Sequence, residues 1–261
     1  MKIVQFSGNS LSSIRPLFEG WQETLIWSCL QGVMGTAWAE YTAFPDSALI
    51  VNADFCFFAG KPCKELLRFH LPYSHTDFVI LVPKDKLWAD LIEETFGNTV
   101  KKAKRYAFKK EPEVFDVQKL QALATVPKEY QITFIDENLY HQALAHSWSQ
   151  DLCSQYKDYE DYAARGLGVG ALKNGVLVAG ASSYTVYDGG IEIEIDTQID
   201  HRRKGLATAC GSRLILECLS RGLYPSWDAH NLWSVALAQK LGYHLDYEYI
   251  VYEFYPNQSK I

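Results

Sequence analysis

The chain has 261 residues, of which 48% are hydrophobic and 14% aromatic, enough apolar material to bury the core of one large domain or two modest ones. No apolar run approaches the roughly 20 residues that a bilayer span needs, and the first residues lack the apolar core of a secretion signal. We therefore expect a globular, cytoplasmic protein with no membrane partner.

Charge and cysteine placement exclude several classes of function. Residues 1–125 carry 14 acidic and 14 basic side chains, so the net charge of −6 comes from 126–261, with 17 acids and 11 bases. An acidic half suits cationic ligands better than nucleic acid, whose binding depends on lysine and arginine. The six cysteines include no C-x-x-C pair, and no His, Cys and carboxylate cluster has metal-ligand spacing. We expect reduced, idle thiols, no metal and no nucleic-acid partner.

The first half has the pattern of a mixed α/β domain. Two β-rich runs, Ala48–Gly60 and Asp77–Pro83, precede a helical pattern over Asp85–Phe96. Order weakens across 111–130, a stretch with two prolines. We therefore expect the end of a smaller N-terminal α/β domain there, which gives two domains, 1–125 and 126–261.

The segment Lys101–Lys110 (KKAKRYAFKK) is the one strongly basic run. Aromatic residues alternate at Tyr106 and Phe108, which predicts a strand from about Arg105 to Lys109 at an exposed sheet edge, where lysines block aggregation. A contact with RNA is the alternative, and its signature would be salt-dependent RNA binding.

The second half begins with a short β run at Gln131–Ile135 and helix-prone residues from about 138 to 148. A G-x-G-x-x-A pattern within 166–171 superficially matches a dinucleotide site. That site needs a helix directly after the turn, whereas Asn174-Gly175 predicts a β-hairpin. The hairpin excludes the dinucleotide interpretation.

The clearest strand pattern of the chain is Ile191–Ile199. Its isoleucines alternate with Glu192, Glu194 and Asp196, which predicts an apolar face and an acidic face. The remaining predicted elements are a helix over Gly205–Arg221, a strand over Tyr224–Asp228, a helix over Asn231–Leu241 with Asn231 as its N-cap and Gly242 as its stop, and a β-rich end over Tyr243–Phe254.

The segment HRRKGLAT (201–208) joins the acidic strand to the next helix. The first N–H groups of a helix have no partner within it and carry the positive end of its dipole, so they bind anions, most often phosphate. Gly205 and Ala207 allow a ligand to approach the backbone, and the three preceding basic residues add charge. No G-x-x-x-x-G-K-[ST] pattern occurs, which excludes a Walker loop. A solvated basic helix start is the alternative.

Arg202-x-x-Gly205-x-Ala207 resembles the R/Q-x-x-G-x-G/A pyrophosphate loop of the GNAT N-acetyltransferases, and the order of elements over roughly 130–254 fits their fold. Asn231-x-x-Ser234, followed by KLGY at 240–243, is similar to their N-x-x-S/A…K-L-G-F/Y motif. GLGVGALKNG, IEIEIDTQIDHRRKGLAT and ALAQKLGY resemble the branch that contains the zwittermicin A resistance protein. The resemblance implies the acyl-CoA N-acyltransferase fold, which is a mixed α/β fold with a mostly antiparallel sheet and flanking helices. Residues 1–125 would then be a degenerate GNAT-like half.

The resemblance further implies acetyl-CoA as the cofactor. Backbone N–H groups of the loop would hold its pyrophosphate, Ile195 and Thr197 would offer backbone groups to the pantetheine arm, and Asn231 and Ser234 would line the far side. The implied cofactor-binding residues are Ile195, Thr197, Arg202, Arg203, Lys204, Gly205, Leu206, Ala207, Thr208, Asn231 and Ser234.

The implied reaction is transfer of an acetyl group to a primary amine of a small molecule by direct attack. An alkylamine with a pKa of about 10.4 is almost wholly protonated at pH 7, so a general base helps. Glu192 and Glu194, about 7 Å apart on one strand face, are the candidates, because each would raise the pKa of the other. A solvent-facing acidic strand is the alternative.

One position departs from the pattern of the family. Many members have a Tyr four residues before the Gly of K-L-G-F, where it protonates the leaving thiolate, and here that position is Ala238. Ser234, Tyr243 or water would then supply the proton, or CoA would leave as the thiolate, and Ser234 is our candidate. His230 is a further candidate acid, with a plain surface residue as the alternative. The departure keeps a second function open, that of a non-catalytic acyl-CoA sensor or scaffold. The oligomeric state also stays open, with a homodimer as one alternative.

Overall fold

The computed structural model describes residues 2–69 and 78–255. Contacts divide them into two compact units: the described residues of Met1–Arg105 and Glu248–Ile261 form one, and Tyr106–Tyr247 form the other. The chain crosses between the units inside two strands rather than in a loop, so no linker composition marks the crossing. That residues 1–125 form a separate, smaller domain stays a prediction.

The first unit is built on a sheet with the order β1-β2-β3-β4-β5-β13-β6. Strands β1 to β4 pair antiparallel, β4 and β5 parallel, and β5 and β13 antiparallel. Its elements are β1 (Ile3–Phe6), α1 (Leu11–Ile14), α2 (Thr24–Leu30), β2 (Thr36–Glu40), β3 (Ser47–Asn52), β4 (Phe55–Gly60), α3 (Lys64–Phe69), β5 (Val79–Pro83), α4 (Lys86–Phe96), β6 (Val100–Phe108) and, from the end of the chain, β13 (Leu245–Phe254).

The second unit contains a five-stranded sheet with the order β11-β10-β9-β8-β7. All pairs are antiparallel except β10–β11. Its elements are α5 (Val117–Leu123), β7 (Gln131–Phe134), α6 (Glu137–Leu144), α7 (Tyr159–Arg165), β8 (Gly168–Lys173), β9 (Val176–Tyr187), β10 (Gly190–Thr197), α8 (Leu206–Ser220), β11 (Tyr224–Ser226), β12 (Asp228–Ala229) and α9 (Leu232–Leu241).

Local signals account for many of these boundaries. Asp85 begins α4 by accepting a hydrogen bond from the Trp88 backbone N–H, and Gly242, at a φ of +115°, ends α9. Asn174 and Gly175 both have positive φ, 52° and 80°, as a two-residue hairpin turn requires. The predicted hairpin and the predicted helices over 85–96, 205–221 and 231–241 are confirmed.

Three predicted boundaries were wrong. Strand β10 ends at Thr197, and Ile199 begins a 3-10 turn with a side chain 68% exposed, because the chain must turn there to enter α8. The predicted strand over Tyr224–Asp228 is interrupted at Trp227, since β11 pairs with β10 whereas β12 pairs with β6. Helix α6 ends at Leu144 rather than near 148. Asp77, the first residue of another predicted strand, lies outside the described residues.

The basic run lies on β6, which is longer than predicted and begins at Val100. On one side β6 neighbours β13, and on the other Tyr106 and Ala107 pair with β12, so the predicted exposed sheet edge was wrong for these residues. Lys101 and Lys104 form ion pairs with Glu253 and Glu248 on β13, at 2.9 and 2.6 Å, and Lys102 pairs with Glu93 on α4. These carboxylates compensate much of the positive charge, which favours the structural interpretation of the run.

The cysteines are free thiols, as the sequence predicts. Burial raises the pKa of Cys29, Cys153, Cys210 and Cys218 to about 12, and burial together with Asp54 does the same for Cys56. Only Cys63 is partly exposed.

Thiol titration tests this arrangement. A thiol with a pKa of about 12 is ionised in only about one molecule in ten thousand at pH 8, and only the thiolate reacts. We expect one of the six thiols to react readily with Ellman's reagent in the native protein, and all six in denaturant. Rapid reaction of three or more native thiols would contradict the burial described here.

Candidate active site

The site is built around the open edge of β10. On one side β10 pairs with β9 from Gly190 to Thr197. On the other, its parallel pairing with β11 covers only Gly190–Glu192, where β11 ends at Ser226. The two parallel strands therefore pair at one end only, and β10 continues for five residues, 193–197, beyond the ladder to β11.

The two faces of β10 have different surroundings. A Cβ added at Gly211 of α8 would lie 3.0 Å from Cδ1 of Ile195, so the Ile195 side chain points toward α8. By alternation, Glu194 and Asp196 point to the opposite face. Burial raises the pKa of Asp196, and the nearby Asp151 carboxylate raises it further. This second face is therefore acidic and includes Asp151, from a 3-10 turn after α6, which our sequence analysis did not single out.

The two candidate bases differ in accessibility. Glu192 is buried, with 5% of its surface exposed, and lies in register with Thr185 on β9 and Ser226 on β11. Glu194 is half-buried and in register with Ser182. A water or substrate molecule can therefore reach Glu194 more readily than Glu192.

A β-bulge lies directly beside these carboxylates. Glu192 pairs with Thr185 but Ile193 pairs with Ser183, so Tyr184 is an extra residue on β9. Two buried tyrosines bind the two residues that precede it. The Tyr156 hydroxyl donates to the Ser183 carbonyl at 3.1 Å and contacts the Ser183 hydroxyl at 2.5 Å. The hydroxyl groups of Tyr162 and Ser182 are 2.9 Å apart.

Our sequence analysis did not identify these tyrosines, although tyrosines are frequent in YKDYEDY at 156–162.

Tyr156→Phe tests the contact at the bulge. It removes only the hydroxyl, so the buried Ser183 carbonyl loses the hydrogen bond that this hydroxyl donates. We expect the free energy of unfolding to fall by about 1–2 kcal/mol, as measured by urea denaturation. Tyr159→Phe, on a half-buried ring of α7, is the control, and an equal loss in both variants would contradict a specific role of Tyr156 at the bulge.

The turn before α8 leaves the start of the helix open. Arg203 and Gly205 have φ values of +60° and +80°, and Gly205 is the N-cap, a residue with no side chain to accept the first N–H groups. The first intrahelical bond runs from the Ala209 N–H to the Gly205 carbonyl, so the N–H groups of residues 206–208 precede the ladder. A Cβ at Gly205 would meet no atom within 4 Å. The turn therefore presents backbone donors to open space, as a phosphate ligand requires.

The basic side chains of the turn are exposed, but two are tied to nearby backbone. Arg202 donates from Nε to the Thr197 carbonyl at 3.1 Å, and its Nη2 lies 3.8 Å from Asp196. Lys204 donates to the Asp200 carbonyl at 2.9 Å. These contacts hold the turn against the end of β10, and the positive charges remain at the entrance to α8.

The start of α9 supplies the other predicted residues. The Asn231 side chain accepts hydrogen bonds from the backbone N–H groups of Trp233 and Ser234, both at 2.9 Å. The Ser234 hydroxyl oxygen accepts from the Trp227 indole N–H at 3.1 Å, which leaves the hydroxyl proton able to donate elsewhere. Asn231 is therefore the predicted N-cap, whereas Ser234 retains a proton for chemistry.

The alternative proton donors are less suitable. Ala238 is fully buried and offers no polar group. The Tyr243 hydroxyl donates to the Pro225 carbonyl at 2.6 Å, and burial raises its pKa well above the ordinary value. A phenol that is already bound and fully covered cannot donate readily to a ligand.

Two further properties concern the part of the chain that the structure describes. It contains no group of three or more His, Cys, Asp or Glu side chains that could hold a metal ion. None of the helices in this part combines the length with the apolar composition that a bilayer span requires.

Comparison with known proteins identifies the family. The model of the GNAT acetyltransferase family matches residues 15–252, and the chain therefore belongs to that family, whose enzymes are acyl-CoA-dependent N-acyltransferases that use acetyl-CoA as cosubstrate. The match begins in the first unit, so the family resemblance extends beyond the 130–254 that the motifs cover.

Individual relatives agree with this assignment. The chain is 27% identical, over 92% of its length and 94% of the relative's, to the uncharacterized N-acetyltransferase YdfB of Bacillus subtilis strain 168. It is 46% identical to a solved GCN5-related N-acetyltransferase-like protein from Streptococcus suis 89/1591, with a TM-score of 0.88 over 94% of this chain and 98% of that one. A tandem GNAT protein from the clavulanic acid biosynthesis pathway shares the fold at 12% identity, with a TM-score of 0.57 over 98% of both chains.

Proposed function

We propose that the Tyr106–Tyr247 unit transfers an acetyl group from acetyl-CoA to a primary amine of a small molecule by direct attack. The observation that carries the proposal is the uncapped start of α8 at Gly205, which lies next to the open edge of β10. A helix start of this kind binds phosphate through its backbone N–H groups. Acetyl-CoA, when bound there, would supply the acetyl group as an activated thioester.

The cofactor would lie along the open edge of β10. The turn from Arg202 to Thr208 would hold the pyrophosphate through backbone N–H groups, and the basic side chains would add attraction. Ile195 would offer backbone groups to the pantetheine arm, since it lies beyond the ladder to β11. Thr197 is less suited to this predicted role, because its N–H already donates to Asp196 and its carbonyl already accepts from Arg202. Asn231 would act mainly through the helix start that it caps.

Glu194 would accept the proton that the ammonium form of the acceptor must lose, directly or through a water molecule. It is half-buried and lies on the acidic face of β10. Glu192 is the second candidate, but its burial makes a supporting electrostatic role more suitable. General bases contribute about 10²- to 10⁴-fold to rates of this type.

Ser234 would donate a proton to the leaving thiolate. Its oxygen already accepts from Trp227, which orients the hydroxyl and leaves the proton available. A thiol has an ordinary pKa of about 8.5, so departure as the thiolate is also tolerable, and the absence of a Tyr at Ala238 does not prevent turnover.

The acceptor would be a cation at neutral pH. Glu194, Asp196 and Asp151 give the second face of β10 a negative potential, which attracts an alkylammonium group. The narrower resemblance to the branch of the zwittermicin A resistance protein supports a small, toxic amine. The same proposal includes a cytoplasmic location, where acetyl-CoA is available, and a homodimer. It also includes a degenerate GNAT-like origin for residues 1–125.

A non-catalytic acyl-CoA sensor or scaffold is the second candidate. The observation in its favour is Ala238, which is buried where many family members have the acid Tyr. A sensor would bind CoA but release no thiol with any amine, whereas an enzyme would do both.

A thiol-release assay on the intact protein tests the proposal. Purified protein is mixed with acetyl-CoA and a panel of primary amines, diamines and aminated antibiotics, with the matching alcohols as controls. We expect release of one thiol per acetylated amine, confirmed by mass spectrometry of the product. CoA binding without release for every amine would favour the sensor, and neither binding nor release would refute both candidates.

A further inference from the structure

A second basic group lies partly within and partly beside the turn before α8. It consists of Lys173 at the end of β8, His201 in the 3-10 turn and Lys204 in the connection to α8. The Tyr130 hydroxyl lies 2.9 Å from Nδ1 of His201, and the two rings meet edge to face at 5.7 Å. The Lys173 ammonium lies 5.6 Å from the centre of the Tyr130 ring. Tyr130 thus contacts both His201 and Lys173.

The contact with Tyr130 orients the His201 ring. Tyr130 is 6% exposed, so the packing around its ring fixes the position of its hydroxyl. A Tyr130 hydroxyl that donates to Nδ1 leaves the imidazole proton on Nε2. The neutral ring then presents an N–H donor on the edge opposite Tyr130, available to a ligand.

The positive charge of this group is poorly compensated. Burial is the largest cause that lowers the pKa of His201, and the charges of Lys204 and Lys173 lower it further. Asp200 raises this pKa, and its effect is the smallest of the four. Across residues 2–69 and 78–255, no carboxylate forms an ion pair with Lys173, His201 or Lys204. Lys204 uses one of its three donors on the Asp200 carbonyl. The remaining donors suit an anion with more than one charge.

Coenzyme A carries three phosphates, and the helix start can account for two of them, the pyrophosphate. The third is the 3′-phosphate of the ribose, a monoester with a charge of about −1.5 to −2 at pH 7. We infer that Lys173, His201 and Lys204 form a subsite for this 3′-phosphate, beside the backbone donors of α8. The inference rests on the proposed function, since it concerns the same cofactor.

Binding of CoA and of 3′-dephospho-CoA to the full chain, measured by isothermal titration calorimetry, tests the subsite. We expect the wild-type protein to bind 3′-dephospho-CoA about 10- to 100-fold more weakly, the typical value of charge-assisted hydrogen bonds. Lys173→Met is expected to reduce this preference to about threefold or less, with unchanged affinity for 3′-dephospho-CoA. Lys109→Met, at an exposed lysine at the end of β6, is the matched control and should keep the full preference.

The outcomes separate this inference from the proposed function. Equal wild-type affinity for the two ligands would overturn the subsite and leave the cofactor assignment intact. A Lys173→Met variant that loses affinity for both ligands equally would also overturn it. Such a loss would mean that Lys173 attracts the whole anionic ligand and does not bind the 3′-phosphate. If neither ligand binds at millimolar concentration, the proposed function itself fails. The wild-type comparison stands even if the variant does not fold.

Discussion

Glu194→Gln is expected to lower kcat with an amine acceptor by about 10²- to 10⁴-fold, with CoA affinity unchanged. The substitution keeps the shape of the side chain and removes the negative charge that accepts a proton. Glu194 is the more accessible of the two carboxylates, so its variant should lose more turnover than Glu192→Gln. The measurement is steady-state thiol release together with a separate titration of CoA, and the double variant shows whether the two residues act together.

The pH dependence provides an independent check of this role. The wild-type rate should fall at acidic pH, because a protonated base cannot accept the proton of the acceptor. In Glu194→Gln the residual rate should instead follow the fraction of unprotonated amine and rise about tenfold per pH unit toward the amine pKa of about 10.4, whereas loss of a residue that only positions the substrate would leave the shape of the wild-type profile in place. Full turnover in the double variant would refute the role of both glutamates.

Gly205→Ala is expected to weaken CoA binding by more than about tenfold, equivalent to about 1.4 kcal/mol. The new methyl group would point into the space in front of the turn, where no protein atom lies within 4 Å, and would keep the pyrophosphate from the backbone N–H groups. The left-handed backbone at φ +80° also makes the substitution cost about 1–2 kcal/mol of folding stability.

Gly175→Ala separates these two effects. Gly175 has the same φ of +80° and also has no atom within 4 Å of an added Cβ, but it lies in the hairpin between β8 and β9. We expect similar losses in the free energy of unfolding for both variants and a loss of CoA affinity only for Gly205→Ala. Equal CoA affinity in the two variants would show that the turn before α8 does not hold the cofactor.

Much of the second unit could be predicted from the sequence because its signals are local. Asn174-Gly175 specifies a hairpin through positive φ alone, and Asn231 and Gly242 define the two ends of α9 through capping. The turn before α8 follows the same logic, since Gly205 adopts the left-handed region that begins the helix. A phosphate ligand at this turn also follows from the open helix start, whereas coenzyme A as the molecule that carries the phosphate is implied only by the family resemblance.

The features that were missed depend on contacts between distant residues. The bulge at Tyr184 arises from the register between β9 and β10, which the alternation within Ile191–Ile199 does not encode. Asp151 and Tyr156 reach the site only because the segment after α6 packs against β9 and β10. The different burial of Glu192 and Glu194 likewise depends on neighbouring strands, so their spacing alone could not distinguish them.

The basic run illustrates the same limit in the first unit. Lys101 and Lys104 are paired with carboxylates 152 and 144 residues away in the sequence. Composition shows ten residues with six cations, but only the pairing of β6 with β13 reveals their counter-charges.

Hydrogen–deuterium exchange with and without coenzyme A tests the central claim most directly, because the claim concerns backbone N–H groups. Saturating CoA should slow exchange in peptides that cover residues 203–208, before the helical ladder begins at Ala209, and should leave the turn at 188–189 between β9 and β10 unchanged. Unchanged exchange in 203–208 at millimolar CoA would contradict the assignment of this turn as the cofactor site.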